Sequence, residues 1–132
     1  METWRKVWRK GIAPTLSTPA LKAIEQALET NDPRLIQGAT TSPPPLACVS
    51  DWEPDACCLL TYGGWQGDGK KTILDLEQFF ADRCNMADDF LGEVSGCRWF
   101  LNFWDESPRE QVFPLVLEEV KLALKQREKG CV

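Results

Sequence analysis

The chain has 132 residues, 43% apolar and 27% charged, enough for one hydrophobic core but not for two domains. It contains no histidine, which excludes Ser-His-Asp and Cys-His catalysis, histidine-dependent zinc sites and a histidine pH switch. Fifteen basic residues against twenty acidic ones leave a formal net charge of −5, a field that opposes nucleic-acid phosphates.

In chain order, Trp4, Val7 and Trp8 fall at helical spacing on one face, with Arg5, Lys6, Arg9 and Lys10 on the other and Gly11 as the expected stop. This reads as a short helix docked on the core. Ser17-Thr18-Pro19 is a helix start, a hydroxyl cap followed by proline in the first turn, and Leu21, Ile24 and Leu28 supply its apolar stripe. Asn31-Asp32-Pro33 ends that helix, with Asp32 capping a further short turn closed by Gly38. Residues 38–52 contain Pro43, Pro44 and Pro45, whose fixed φ and missing donors predict a long extended loop crossing the helices. Residues 56–62 read as helix, with a short buried strand as the competing reading.

Residues 63–71 are glycine-rich and read as a flexible turn, after which Thr72 caps a helix over 73–91 that Gly92 terminates. The aromatic run 97–104 is ambiguous in type, although Arg98-Trp99-Phe100 and Phe103-Trp104 are expected to form the aromatic centre of the core. Ser107-Pro108-Arg109-Glu110 starts a last helix over 108–128, striped by Phe113, Val116, Leu117, Val120 and Leu124. The expected architecture is all-α: a single small helical domain, 1–132, of about five or six helices with a Pro-rich extended loop. The helices at 73–91 and 108–128 are expected to pack antiparallel.

Six cysteines, at 48, 57, 58, 84, 97 and 131, include no CxxC pair, and METWRKVWRKG at the start holds no apolar stretch of the kind a secretory leader needs. A cytoplasmic setting with six reduced thiols is expected, Cys48, Cys57, Cys58, Cys84 and Cys97 acting as small core hydrophobes. The carboxylate pairs Asp88-Asp89, Asp105-Glu106 and Glu118-Glu119 read as solvated surface charge. No metal or cofactor is expected.

The one stretch with the outline of a catalytic motif is Gly64 to Thr72. Gly64 and Gly69 have the spacing of a phosphate-binding loop and Lys70 follows, but Lys71 stands where the magnesium-binding hydroxyl belongs. Gly64, Gly69 and Lys70 are the candidate phosphate contacts. Pro43, Pro44, Pro45, Trp52 and Trp65 are the candidate interaction surface, since stiff prolines and large amphipathic rings lower the ordering cost of association. The reading is a non-enzymatic interaction or regulatory domain whose partner is another protein or a second copy, with no membrane association. A small enzyme or nucleotide-binding protein using 63–71 is the alternative.

Overall fold

Trp4, Val7 and Trp8 turn inward as predicted, on a helix α1 (Thr3–Val7) that continues into a π-helical turn over Trp8–Ile12. Gly11 does not stop this run. It is a point of close approach: a Cβ there would lie 2.8 Å from Leu91 Cγ and 3.3 Å from Ala87 O. The computed structural model describes residues 1–130, and in them six α-helices build a small compact helical domain. The others are α2 (Thr18–Thr30), α3 (Leu59–Tyr62), α4 (Ile73–Leu91), α5 (Arg98–Glu106) and α6 (Arg109–Gly130). The ambiguous aromatic run is helical, and its periodicity buries Phe100 and Trp104 but leaves Arg98 and Trp99, expected in the core, on the exposed face.

Local chemistry sets both ends of α2 and α4. Ser17 Oγ accepts from Ala20 N at 3.0 Å and Thr72 Oγ1 from Asp75 N at 3.1 Å, and Asn31 and Gly92 close α2 and α4 in the left-handed region. Asp32 caps its turn through Arg34 N at 2.9 Å.

The Pro-rich segment is not one long extended strap. Residues Thr41–Ser42 form a two-residue strand, β1, that pairs antiparallel with β2 (Ala56–Cys57). Between them the chain makes a 3-10 turn at Ala47–Val49 and hydrogen-bonds to the start of α4. The expected helix over 56–62 is split in the same way, into β2 and the short α3, because Cys57 N and Cys58 N donate to Arg34 O and Thr40 O instead of to helical carbonyls.

Helices α4 and α6 form where expected, but they do not make the predicted antiparallel pair. The N-terminal segment intervenes: the Trp8–Ile12 turn contacts both helices, α4 most heavily, while α6 packs on α2. The device that seats it is Glu119. This residue was expected to be a solvated charge, and it is buried on α6, 2% exposed. Its Oε2 accepts from Arg5 Nη1 at 2.7 Å and Arg9 Nη2 at 2.8 Å, and its Oε1 from Arg9 Nε at 2.7 Å. Those bonds, Arg9's first, outweigh burial and hold the Glu119 carboxyl below its ordinary range. Over this clamp the aromatic core assembles, with Trp4 stacked on Phe103 at 4.2 Å, Trp8 against Phe100 at 5.2 Å and Trp104 stacked on Phe113 at 5.1 Å.

The glycine-rich stretch is also ordered. Residues Gly63–Gly67 continue α3 as a π-helical turn packed on α2. A Cβ on Gly67 would sit 2.5 Å from Ala20 Cα and 2.6 Å from both Ala20 N and Pro19 O, all backbone atoms that cannot swing aside. Gly69 is glycine for another reason, a φ of +77° with open space around it.

Two substitutions test this account. Gly67→Ala should destabilise by about 3 kcal/mol through overpacking against backbone, and Gly69→Ala by about 1 kcal/mol through its left-handed φ, read by urea unfolding. Equal effects would refute the distinction. Glu119→Gln should cost about 2–3 kcal/mol at neutral pH, less than a fully buried pair because Arg9 keeps water contact. Because the folded Glu119 pKa lies below the unfolded one, this stabilisation is present above about pH 5 and fades as pH falls below about 4. The wild-type and variant stability curves should therefore converge in acid.

Candidate functional site

The candidate surface residues separate in the structure. Trp65 is buried, 7% exposed, with its Nε1 donating to Glu53 Oε1 at 2.9 Å, Tyr62 edge-on at 6.0 Å and the Arg34 guanidinium 5.4 Å from its ring. It is a core member on the π-helical turn and not the tip of a binding loop. Trp52 is the opposite case, 56% exposed. Leu46 is equally exposed, Pro44 and Pro45 are exposed, and Pro43 is half-buried at the cis Ser42–Pro43 bond.

These exposed residues are held firmly. Below them the β1–β2 ladder closes the excursion, and Asp55 N donates to Ser42 O at 2.7 Å. Above, Trp52 O accepts from Ile73 N at 2.8 Å and Ser50 O from Leu74 N at 2.9 Å, so the turn also satisfies two amides at the first residues of α4. Leu74, 59% exposed, is thereby bonded to the same turn through its backbone N–H. Sequence reasoning missed Leu74, and the only available signal was its place off the buried stripe of α4. The platform thus comprises Pro44, Pro45, Leu46, Trp52 and Leu74, apolar side chains on a backbone fixed at both ends.

The candidate phosphate contacts are placed differently. Gly64 lies within the π-helical turn, where an added Cβ would meet the Phe79 ring at 2.9 Å. The amides that a phosphate loop would present are already engaged: Asp68 N donates to Gly63 O at 3.1 Å and Lys70 N to Gly64 O at 2.9 Å. The Lys70 side chain borders a hollow shared with Asp68, Asp75, Asp82 and Arg83, so an anion there would face three carboxylates. This turn packs on α2, and its amides at 68 and 70 are bonded within it.

The thiols divide by environment. Cys48, expected in the core, is exposed on the 3-10 turn of the platform, because that turn faces outward. Cys57, Cys58 and Cys97 are buried and Cys84 is partly buried, and all five are free thiols. Burial pushes the Cys57 thiol up to about 12 and the Cys97 thiol up to about 11, and it raises Cys58 and Cys84 as well. Cys131 lies outside the described residues. Among those residues no three metal-ligating side chains converge, and no helix is long and apolar enough to cross a membrane.

Compared with known proteins, the chain matches no family model, no curated protein and no solved structure.

Thiolate, not thiol, reacts with alkylating agents. At pH 8 iodoacetamide should modify Cys48 at least tenfold faster than Cys57, Cys58 or Cys97, as mapped by peptide mass spectrometry. Equal rates in the folded protein would contradict the burial described.

Proposed function

We propose that the protein is a non-enzymatic interaction domain that takes up another protein on the platform of Pro44, Pro45, Leu46, Trp52 and Leu74. The observation that carries this reading is the exposure of Trp52 and its apolar neighbours on a backbone pinned to both the β1–β2 ladder and α4. A large ring held in place before binding loses little conformational freedom on association, and tryptophans in such settings are frequent energetic centres of interfaces. A protein partner fits better than nucleic acid. The net charge is −5, and the arginines of the N-terminal arm are turned onto Glu119. A cytoplasmic setting is part of the proposal, since buried thiols packed as small hydrophobes need no oxidising compartment.

Trp52→Ala combined with Leu46→Ser should leave the circular dichroism spectrum unchanged and remove a defined partner from those captured in native lysate. Rebinding of that purified partner should weaken by at least about 30-fold, which corresponds to roughly 2 kcal/mol. Sedimentation of the wild type in parallel separates a second copy from a different protein as the occupant. An unchanged partner set and unchanged self-association would overturn the proposal.

A further inference from the structure

A second feature lies apart from the platform. The segment after α2 is strapped across the C-terminal end of α5. Gln37 Nε2 donates to Trp104 O at 2.6 Å and Ser107 O at 2.7 Å, Trp104 Nε1 donates to Ile36 O at 3.1 Å, and Gly38 N donates to Asp105 Oδ1 at 2.9 Å. Past the strap, Thr40 O accepts from Cys58 N at 3.0 Å and from Thr61 Oγ1 at 2.7 Å. Strap, α3 and α5 are thereby fixed to one another, and they do not meet perfectly. Between them remains a cleft of about 130 Å³, walled by Leu59, Leu60, Phe80, Phe100, Leu101 and Trp104.

Size, lining and charge define what fits. A cavity of about 150 Å³ with an aliphatic and aromatic lining accepts a benzene ring. Apolar surface dominates here, with Cys58 turned to Thr61 at 3.3 Å. The charged residue on the rim is Asp105, and no basic side chain lines the cleft. Asp105 gives one oxygen to Gly38 N and has no protein donor on the other among the described residues. It sits in the last turn of α5, where the helix dipole is negative, and Glu106 follows it. A bound cation is stabilised by this field and a bound anion is repelled.

We propose that the cleft is a binding site for a small aromatic amine, with the ring among Leu59, Phe80, Phe100, Leu101 and Trp104 and the ammonium on the free oxygen of Asp105. The site is independent of the Trp52 platform, so either can fail without the other. Strap, α3 and α5 are already hydrogen-bonded to one another, so a ligand enters a preformed space.

The test is a titration of the full chain, followed by amide chemical shifts in two-dimensional NMR. Four probes separate the contributions: benzylamine, benzyl alcohol, benzoate and methylammonium. Benzylamine should shift the amides of 38–40, 58–60 and 100–105 saturably. Benzyl alcohol should shift the same amides at least fivefold more weakly, and benzoate and methylammonium should give no saturable change there. Asp105→Asn retains an acceptor for Gly38 N and should erase the preference for amine over alcohol. Ala39→Leu, which narrows the opening and leaves Asp105 in place, should weaken both. Equal binding of benzoate and benzylamine, or saturable shifts confined to other residues, would overturn the assignment. So would an amine preference that survives in Asp105→Asn.

Discussion

The buried carboxylate of Glu119 is the constraint from which the arrangement of helices follows. It lies more than a hundred residues from Arg5 and Arg9 in sequence, and it accepts hydrogen bonds from both guanidinium groups. A carboxylate taken out of water is costly unless its charge is matched and its lone pairs are filled, and both conditions are met only when the N-terminal segment brings Arg5 and Arg9 to α6. That position drives Trp4 and Trp8 into the aromatic core and inserts the Trp8–Ile12 turn between α4 and α6. The two longest helices are thereby kept from pairing directly, whatever their own apolar stripes favour.

Guanidinium groups serve the same end elsewhere. Arg109 donates to Leu35 O, Asp32 O and Asn31 Oδ1, Arg127 to Ala13 O and Thr18 Oγ1, and Arg34 to Asp32. Arg83 and Arg98 reach Thr15 O and Ser95 O. Each arginine of the chain is hydrogen-bonded within the fold, a use that suits its planar fork of donors. The functional consequence is electrostatic. A protein that already carries net negative charge commits its arginines to its own carbonyls and carboxylates. This is why the basic and aromatic N-terminal arm, which resembles a nucleic-acid contact on paper, is a structural element.

Features decided within a few residues were legible in the sequence. Ser17, Thr72, Asn31 and Gly92 cap or close helices through bonds to near neighbours, and the α4 and α6 stripes needed only helical periodicity. Features decided across the fold were not. Glycine in sequence looks the same whether it supplies a positive φ, as Gly69 does, or lets two backbones touch, as Gly67 does against Ala20. The second use turns an apparently flexible run into one of the tightest contacts of the molecule. Trp52 and Trp65 present the same ambiguity. Both follow a turn-forming stretch, but Glu53 and Tyr62 meet Trp65 from separate elements and enclose it, while Trp52 has its backbone bound to α4 and its ring left free.

What fixes the candidate surfaces is therefore bonding to their own backbone groups, from side chains and main chain alike, and this bears on how a rigid site can arise in irregular chain. The stretch from 31 to 58 contains only two residues of β1, two of β2 and one 3-10 turn, so its own secondary structure contributes little stiffness. Its rigidity is borrowed at intervals: from Arg109 at 32–35, from α5 at 36–38, from α3 at 40, from β2 at 41–42 and from the start of α4 at 50–52. Between those ties lie only short spans, and proline occupies the first three residues of the longest of them, 43–49. Each span has few conformations to lose. An irregular segment tied this way presents side chains with less entropic penalty than a free loop of equal length, while keeping the shapes that regular helices cannot make.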